Sequence, residues 1–230
     1  MINSLQNETI KKINSLKQKK YREKYNAYLV YNEHIIEEAE KKGLLLKRIS
    51  IQEKKDCLHV SQEVMKKLNI YNQENDIAII KKKVINILNE KKILMLDQIN
   101  DPGNLGTILR NALAFGFKDI FIGKNTVDLY NDKVISACKG ANFNLNIMFG
   151  DCEDYLKKTN KKIITTFLDE ISDYEICDEY ILVLGNEAHG IDKSYKKYKD
   201  YNIKIPIKYE SLNVGVASGI IMYELTKGDL

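Results

Sequence analysis

Residues 93–116, ILMLDQINDPGNLGTILRNALAFG, set an unbroken apolar run, ILML at 93–96, directly ahead of a polar, turn-rich segment and a helical pattern. Apolar runs without alternation suit strands buried on both faces. The segment that follows predicts a turn at Pro102 and Gly103, a cap at Asn104 and a helix ending at Gly116. The same order recurs downstream, with apolar runs at 120–122 (IFI), 144–149 (NLNIMF), 162–168 (KIITTFL), 180–185 (YILVLG) and 203–207 (IKIPI), most of them separated by helical patterns. The expected architecture is a largely parallel sheet covered by helices, whose ligands bind outside the carboxyl ends of the strands.

Upstream the pattern differs. Residues 8–24 carry Ile10, Ile13 and Leu16 at spacings of three among many lysines, which predicts one basic amphipathic helix. A strand at 27–32, a helix closed by Gly43, a strand LLLKRIS, a capped helix from Ser61 to Ile70 and a strand at 76–80 follow. This predicts a smaller α/β/α domain at residues 1–85 ahead of a larger one at 91–230, with the border near residue 88. The 230 residues are 44% hydrophobic, enough to bury a core and exclude wholesale disorder, and the formal charge of +4 is too mild to announce a nucleic-acid binder. Its distribution says more: residues 1–90 hold a net +6 and the remainder a net −2. No apolar run approaches the roughly 20 residues of a membrane span and no signal core opens the chain, so a cytoplasmic protein is expected. Cys57, Cys138, Cys152 and Cys177 are scattered without metal-ligand or disulfide spacing and read as packed, reduced thiols.

Three polar, glycine-containing segments follow strand-like runs: 97–112, 185–191 and 208–220. Each should emerge on the same edge of the sheet and contribute to one composite site. In the first, a helix start favours an anion and Arg110 suits a carboxylate or phosphate; the alternative is a capped helix whose arginine pairs on the surface. In the second, Glu187 follows an apolar strand, although on spacing alone an ordinary turn with Glu187 near a helix N-terminus is favoured. His189 reads as a bystander, since no Ser, Cys or metal-ligand partner accompanies it. In the third, Ser211 is the expected N-cap, Asn213 offers donors and acceptors, and Gly219 is read as a close-packing position. No GxGxxG or P-loop occurs, which disfavours a nicotinamide oxidoreductase or an NTP hydrolase.

Taken in order, NDPGNLGTILRNA (100–112), LVLGNEAHGI (182–191) and IPIKYESLNVGVASGI (205–220) resemble the three motifs of the SpoU (TrmH) family of SPOUT RNA methyltransferases. The resemblance implies a trefoil-knotted α/β fold, a homodimer, and methyl transfer from S-adenosylmethionine to a ribose 2′-hydroxyl of structured RNA. Residues 17–39, KQKKYREKYNAYLVYNEHIIEEA, are similar to the small substrate-binding domain that precedes such catalytic domains, with Asn32 in place of the usual glycine. By the same resemblance, Asn104, Arg110, Glu187, Ser211 and Asn213 form the catalytic set. Gly185, Ile205, Leu212 and Val214 would hold the cofactor, and Lys17, Lys19, Lys20 and Arg22 would contact RNA. Gly215 stands where the family commonly has serine, so a hydroxyl is lost. The separate basic module favours 23S rRNA, with tRNA as the alternative substrate and a non-catalytic RNA-binding protein as the alternative class. S-adenosylmethionine binding separates the last of these from an enzyme.

Overall fold

The computed structural model describes residues 1–71, 76–83, 85, 87–175, 177–186, 188–208 and 210–228. In chain order the first elements are α1 (Glu8–Ser15), α2 (Lys19–Tyr25), β1 (Ala27–Val30), α3 (Glu33–Lys41), β2 (Leu45–Ser50), β3 (Cys57–His59), α4 (Gln62–Leu68) and β4 (Asp76–Lys81). Then come β5 (Lys92–Leu96), α5 (Pro102–Ala114), β6 (Asp119–Gly123), α6 (Asp132–Cys138), β7 (Asn146–Gly150), α7 (Cys152–Leu156), β8 (Lys162–Thr165), β9 (Tyr180–Leu184), β10 (Tyr201–Asn202) and α8 (Val214–Thr226). Two compact units result. One combines Met1–Lys83 with Tyr130–Phe143, the other Val84–Leu129 with Asn144–Leu230. The stretch from Tyr130 to Phe143, read from the sequence as part of the second domain, belongs to the first unit.

In that first unit the sheet order is β1-β4-β2-β3, with β4 antiparallel to both neighbours and β2 parallel to β3. Strand β3, at the sheet edge, escaped the sequence reading because three residues give no periodicity. The expected helix over 8–24 is instead two helices. Ile10, Ile13 and Leu16 are buried in the core with Leu29, Ile49, Val64, Leu68 and Ile77. Beyond Leu16 the same face would carry Lys17, Lys20 and Lys24 into apolar surroundings, so the chain breaks and restarts at Lys19.

Arg22 secures that break. It is only 7% exposed, and its Nη1 donates to the carbonyls of Leu16 (3.1 Å) and Lys17 (2.7 Å) at the end of α1. Its assignment as an RNA contact is therefore corrected: the guanidinium satisfies orphan helix-end carbonyls inside the unit. Lys17 is similarly engaged, its Nζ donating to the Lys67 carbonyl at 2.7 Å, and burial lowers its pKa. Lys19 and Lys20 remain exposed.

The second unit is built on a sheet of order β10-β8-β9-β5-β6-β7 in which every pairing is parallel. Its central strands β5, β6 and β9 are buried almost throughout, as their unalternating sequences require. The expected strand at 203–207 does not form; the edge strand is the two-residue β10 just before it. Pro206 has no N–H to donate to a ladder, and Ile203, Ile205 and Ile207 turn to line a cavity. Among the described residues no helix is long and apolar enough to cross a membrane.

Replacing Arg22 by alanine is expected to destabilise the chain by about 2–3 kcal/mol, since buried hydrogen bonds to a charged donor are lost. Urea unfolding reads this as a lower midpoint at unchanged slope, and an unmoved midpoint would show that the α1–α2 break does not depend on Arg22.

Candidate active site

The register of the parallel sheet decides what meets at its carboxyl edge. Leu96 at the end of β5 pairs with Leu184 at the end of β9 and with Ile122 of β6. The segments after β5 and β9 therefore leave the sheet side by side. The Asp97 amide donates to the Leu184 carbonyl at 3.0 Å, and the Asn186 Nδ2 donates to the Gln98 carbonyl at 2.9 Å. Asn186 Oδ1 in turn accepts from the amides of Ala188 (2.8 Å) and His189 (3.0 Å), while its main chain exchanges two 2.9 Å bonds with Gly190. The turn after β9 is folded tightly on itself: a Cβ at Gly185 would lie 2.4 Å from the Gly190 carbonyl oxygen.

Helix α5 is capped by Asp101, whose Oδ1 accepts from the Asn104 amide at 2.8 Å. The expected cap, Asn104, lies three residues further on and is used differently. Its Oδ1 accepts from Asn213 Nδ2 at 2.8 Å, joining the first segment to the third. Asn213 is the cap of α8, accepting from the amides of Gly215 and Val216, so the cap assigned to Ser211 is corrected by two residues. Pro102 at the first helical position of α5 explains the earlier start there.

The two helices approach closely through glycine. Asn111 Nδ2 donates to the Gly215 carbonyl (2.9 Å) and to Ser218 Oγ (3.0 Å), and Ser218 Oγ donates to that same carbonyl at 2.7 Å. A Cβ on Gly219 would stand 3.2 Å from Asn111 Nδ2, which fits the packing role read from the sequence. At Gly215 a Cβ would stand 3.2 Å from Thr107 Cγ2 and 3.0 Å from Asn213 Oδ1. The absent serine side chain thus coincides with a close approach of α5 to α8.

Between the second and third segments lies a cavity of about 350 Å³. Gly185, Ile205, Leu212 and Val214, the four expected cofactor contacts, all line it, as does Ser211. His189 and the acidic and basic side chains of Asp169, Lys193 and Lys204 contribute to its wall. Lys196, 3.0 Å away, hydrogen-bonds Asp169 and holds its carboxyl below the usual range. Asn104 and Asn213 stand outside the lining but bind each other. Arg110 is exposed on α5, outside the lining, and among the described residues it forms no ion pair, so the surface-pair alternative does not hold there. Glu187 lies outside the described residues.

Sequence reading missed Asn202, the residue that shapes the far wall. Fully buried, it accepts from the Phe167 amide (2.8 Å) and the Thr165 hydroxyl (3.0 Å) and donates to the carbonyls of Phe167 (3.1 Å) and Ile171 (3.2 Å). Those bonds fix the loop whose residues 166–169 line the cavity. The only signal available was a polar residue beside an apolar run. Among the described residues no group of His, Cys, Asp or Glu is placed to hold a metal ion.

A wholly parallel α/β sheet with a ligand-sized cavity at its carboxyl edge defines a small-molecule-binding α/β protein. More specifically, its fold is that of the SpoU methyltransferases: S-adenosylmethionine-bound rRNA methyltransferase from Sinorhizobium meliloti superposes with a TM-score of 0.87 at 23% identity, over 100% of this chain and 98% of that one. AviRb from Streptomyces viridochromogenes, a SpoU methyltransferase in complex with the same cofactor, gives 0.83 at 19% identity over 97% and 98%. The profile of the SpoU rRNA Methylase family matches residues 91–223, and that of the MRM3-like substrate binding domain matches residues 7–92. A 23S rRNA (guanosine(2553)-2′-O)-methyltransferase, RlmP of Bacillus subtilis, is 30% identical over 97% of this chain and 98% of that protein. The chain belongs to the SpoU rRNA methylase family.

Gly185→Ala forces a Cβ against main chain that has no flexible end to yield. A loss of about 2 kcal/mol, or about 4–8 °C in Tm, is expected; a wild-type melting curve would show that the turn has room to spare.

Proposed function

We propose that this chain uses S-adenosylmethionine to methylate a ribose 2′-hydroxyl in 23S rRNA. The observation that carries the reading is the cavity walled by the second and third segments, at the edge where the first segment also emerges. Its volume of about 350 Å³ falls within the roughly 300–1,000 Å³ usual for small-molecule sites. Its walls suit the cofactor: apolar side chains of Ile205, Leu212 and Val214 for a heterocycle, main chain around Gly185 for polar groups, and charged side chains at the margin. The similarity to a 23S rRNA enzyme over nearly its whole length supports rRNA over tRNA. An rRNA substrate in turn implies a cytoplasmic location.

When bound, S-adenosylmethionine supplies a methyl group activated by a sulfonium centre. A ribose hydroxyl is a poor nucleophile until its proton is leaving, so alignment and help with that proton are what the chain must provide. Arg110 clamps the phosphate beside the target ribose and polarises the 2′-oxygen. Ser211, on the cavity wall, and Glu187 orient the departing proton. Asn104 and Asn213, bonded to each other, keep the first and third segments in register. In the first unit, Lys19 and Lys20 contact the RNA backbone, with Lys20 held over the Tyr21 ring at 4.8 Å.

Two copies of the chain pair through α8. Val216, Ile220 and Tyr223 recur at helical spacing on that helix and are 54%, 43% and 52% exposed, an apolar stripe that a second copy would cover. Sedimentation at micromolar concentration is expected to give a dimer, converted to monomer by the double substitution Val216→Glu, Ile220→Glu; a wild-type monomer would remove the pairing.

Arg110→Ala should lower kcat for methyl transfer to rRNA by about 10²–10³-fold, the usual cost of losing one transition-state donor. Its affinity for S-adenosylmethionine, read by calorimetry, should change little. Unchanged turnover would remove Arg110 from the reaction, and failure of the wild type to bind the cofactor would favour a non-catalytic RNA-binding protein.

A further inference from the structure

The cavity at the carboxyl edge takes its formal charges, among the described residues of its wall, from Asp169, Lys193 and Lys204. Two of these are already engaged. Lys204 Nζ donates to the Leu168 carbonyl at 2.6 Å, and Asp169 Oδ2 accepts from Lys196 Nζ at 3.0 Å. Lys193 differs: among the described residues its ammonium forms neither a hydrogen bond nor an ion pair. It stands near enough to Asp169 to help the Lys196 hydrogen bond lower that carboxyl's pKa, without pairing with it.

The local sequence explains the difference. Residues 192–200, DKSYKKYKD, place lysine at 193, 196 and 199 and tyrosine at 195 and 198, and Lys193–Tyr198 form a 3₁₀ helix. With three residues per turn, side chains three apart lie above one another on one face. Lys196 bonds Asp169 and, at 3.1 Å, pairs with Glu170 Oε1, and Lys199 pairs with Glu170 as well. The row therefore presents three ammonium groups to the two carboxylates of the 166–170 loop, and the member left over is the one on the cavity wall. On another face the buried Tyr195 donates its hydroxyl to Asp97 Oδ2 at 2.9 Å. Anchored on both sides, the helix holds the Lys193 main chain in place before a ligand arrives.

An ammonium without a counter-charge in the protein, standing on a cavity wall, suits an anion. S-adenosylmethionine has one anionic group, the α-carboxylate; its sulfonium and α-ammonium are cationic, and its adenine and ribose are neutral. With the apolar wall at Ile205, Leu212 and Val214 taking the heterocycle, the carboxylate is the group that remains for Lys193.

We infer that Lys193 binds the α-carboxylate of S-adenosylmethionine and so discriminates the intact cofactor from analogues that lack this group. The inference rests on the cavity being the cofactor site, as proposed above. Its test is calorimetry on the full-length protein at fixed salt, comparing S-adenosylmethionine with its decarboxylated analogue, which keeps the sulfonium and the amine. The wild type should bind the intact cofactor about tenfold tighter, the scale of one hydrogen bond between charged groups. Lys193→Met should lose about tenfold in affinity for the intact cofactor and cease to distinguish the two compounds, while Lys193→Arg should keep the preference. In methyl transfer to rRNA, Lys193→Met should raise KM for the cofactor and leave kcat unchanged, the signature of a contact made equally in ground and transition states.

Equal affinity of the wild type for the two compounds, or a preference that survives Lys193→Met, would overturn the assignment and leave the cofactor reading standing. Binding of neither compound would remove both. A carboxylate preference that Lys193→Met abolishes, in a protein that transfers no methyl group to rRNA, would sink the enzyme reading and spare Lys193.

Discussion

The second unit depends on a meeting of main chain with main chain. Where a side chain of Gly185 would begin, the carbonyl of Gly190 already stands, and the turn between them is closed by paired hydrogen bonds from Asn186 to Gly190. Only a residue without Cβ allows that approach. Because β9 lies beside β5 in register, the closed turn is also held to the segment after β5 through the bond from Asn186 to the Gln98 carbonyl. One side of the cavity is thereby fixed by backbone geometry before any ligand arrives, which lowers the ordering cost of binding.

Asparagine recurs where loops must be held without regular ladders. Asn186, Asn202, Asn111 and Asn213 each use side-chain amides to bind main chain or a partner side chain: in the second turn, beneath the 166–171 loop, between α5 and α8, and at the start of α8. An amide offers donor and acceptor together, so one side chain satisfies groups of both kinds that an irregular loop leaves behind. Leaving such a buried group unpaired costs about 1–3 kcal/mol. The glycines of the three segments permit close approach; the asparagines determine which approach is made.

This division explains what could be read from the chain. Strands β5, β6 and β9 were legible because burial on both faces demands continuous apolar sequence, and the site followed from polar segments attached to their ends. The run at 203–207 met the same demand for a different reason: its isoleucines line a cavity, and apolarity alone does not distinguish a sheet from a pocket wall. Both helix caps were misplaced within segments rich in capping residues, because Asp101 and Asn104, or Ser211 and Asn213, compete on equal chemical terms and tertiary bonds decide between them. Charge composition pointed to a basic first unit but did not tell a solvated lysine from Lys17 or Arg22, whose donors are taken by helix-end carbonyls.

The stretch from Tyr130 to Phe143 was illegible for a further reason. Its short amphipathic helix looks like any other that covers a parallel sheet, and nothing in its sequence states which core it joins. Its contacts answer that question. Tyr28 of β1 is 1% exposed, its ring lies 4.8 Å from that of Tyr130, and its hydroxyl accepts from Asn142 Nδ2 at 3.3 Å. Burial raises the Tyr28 pKa, so the phenol remains neutral and must find its partner within the protein. Both the ring contact and the Asn142 bond come from the later stretch, which therefore completes the core of the first unit and also supplies the carboxylate that binds Tyr71. The first unit is thus continuous in space and discontinuous in sequence.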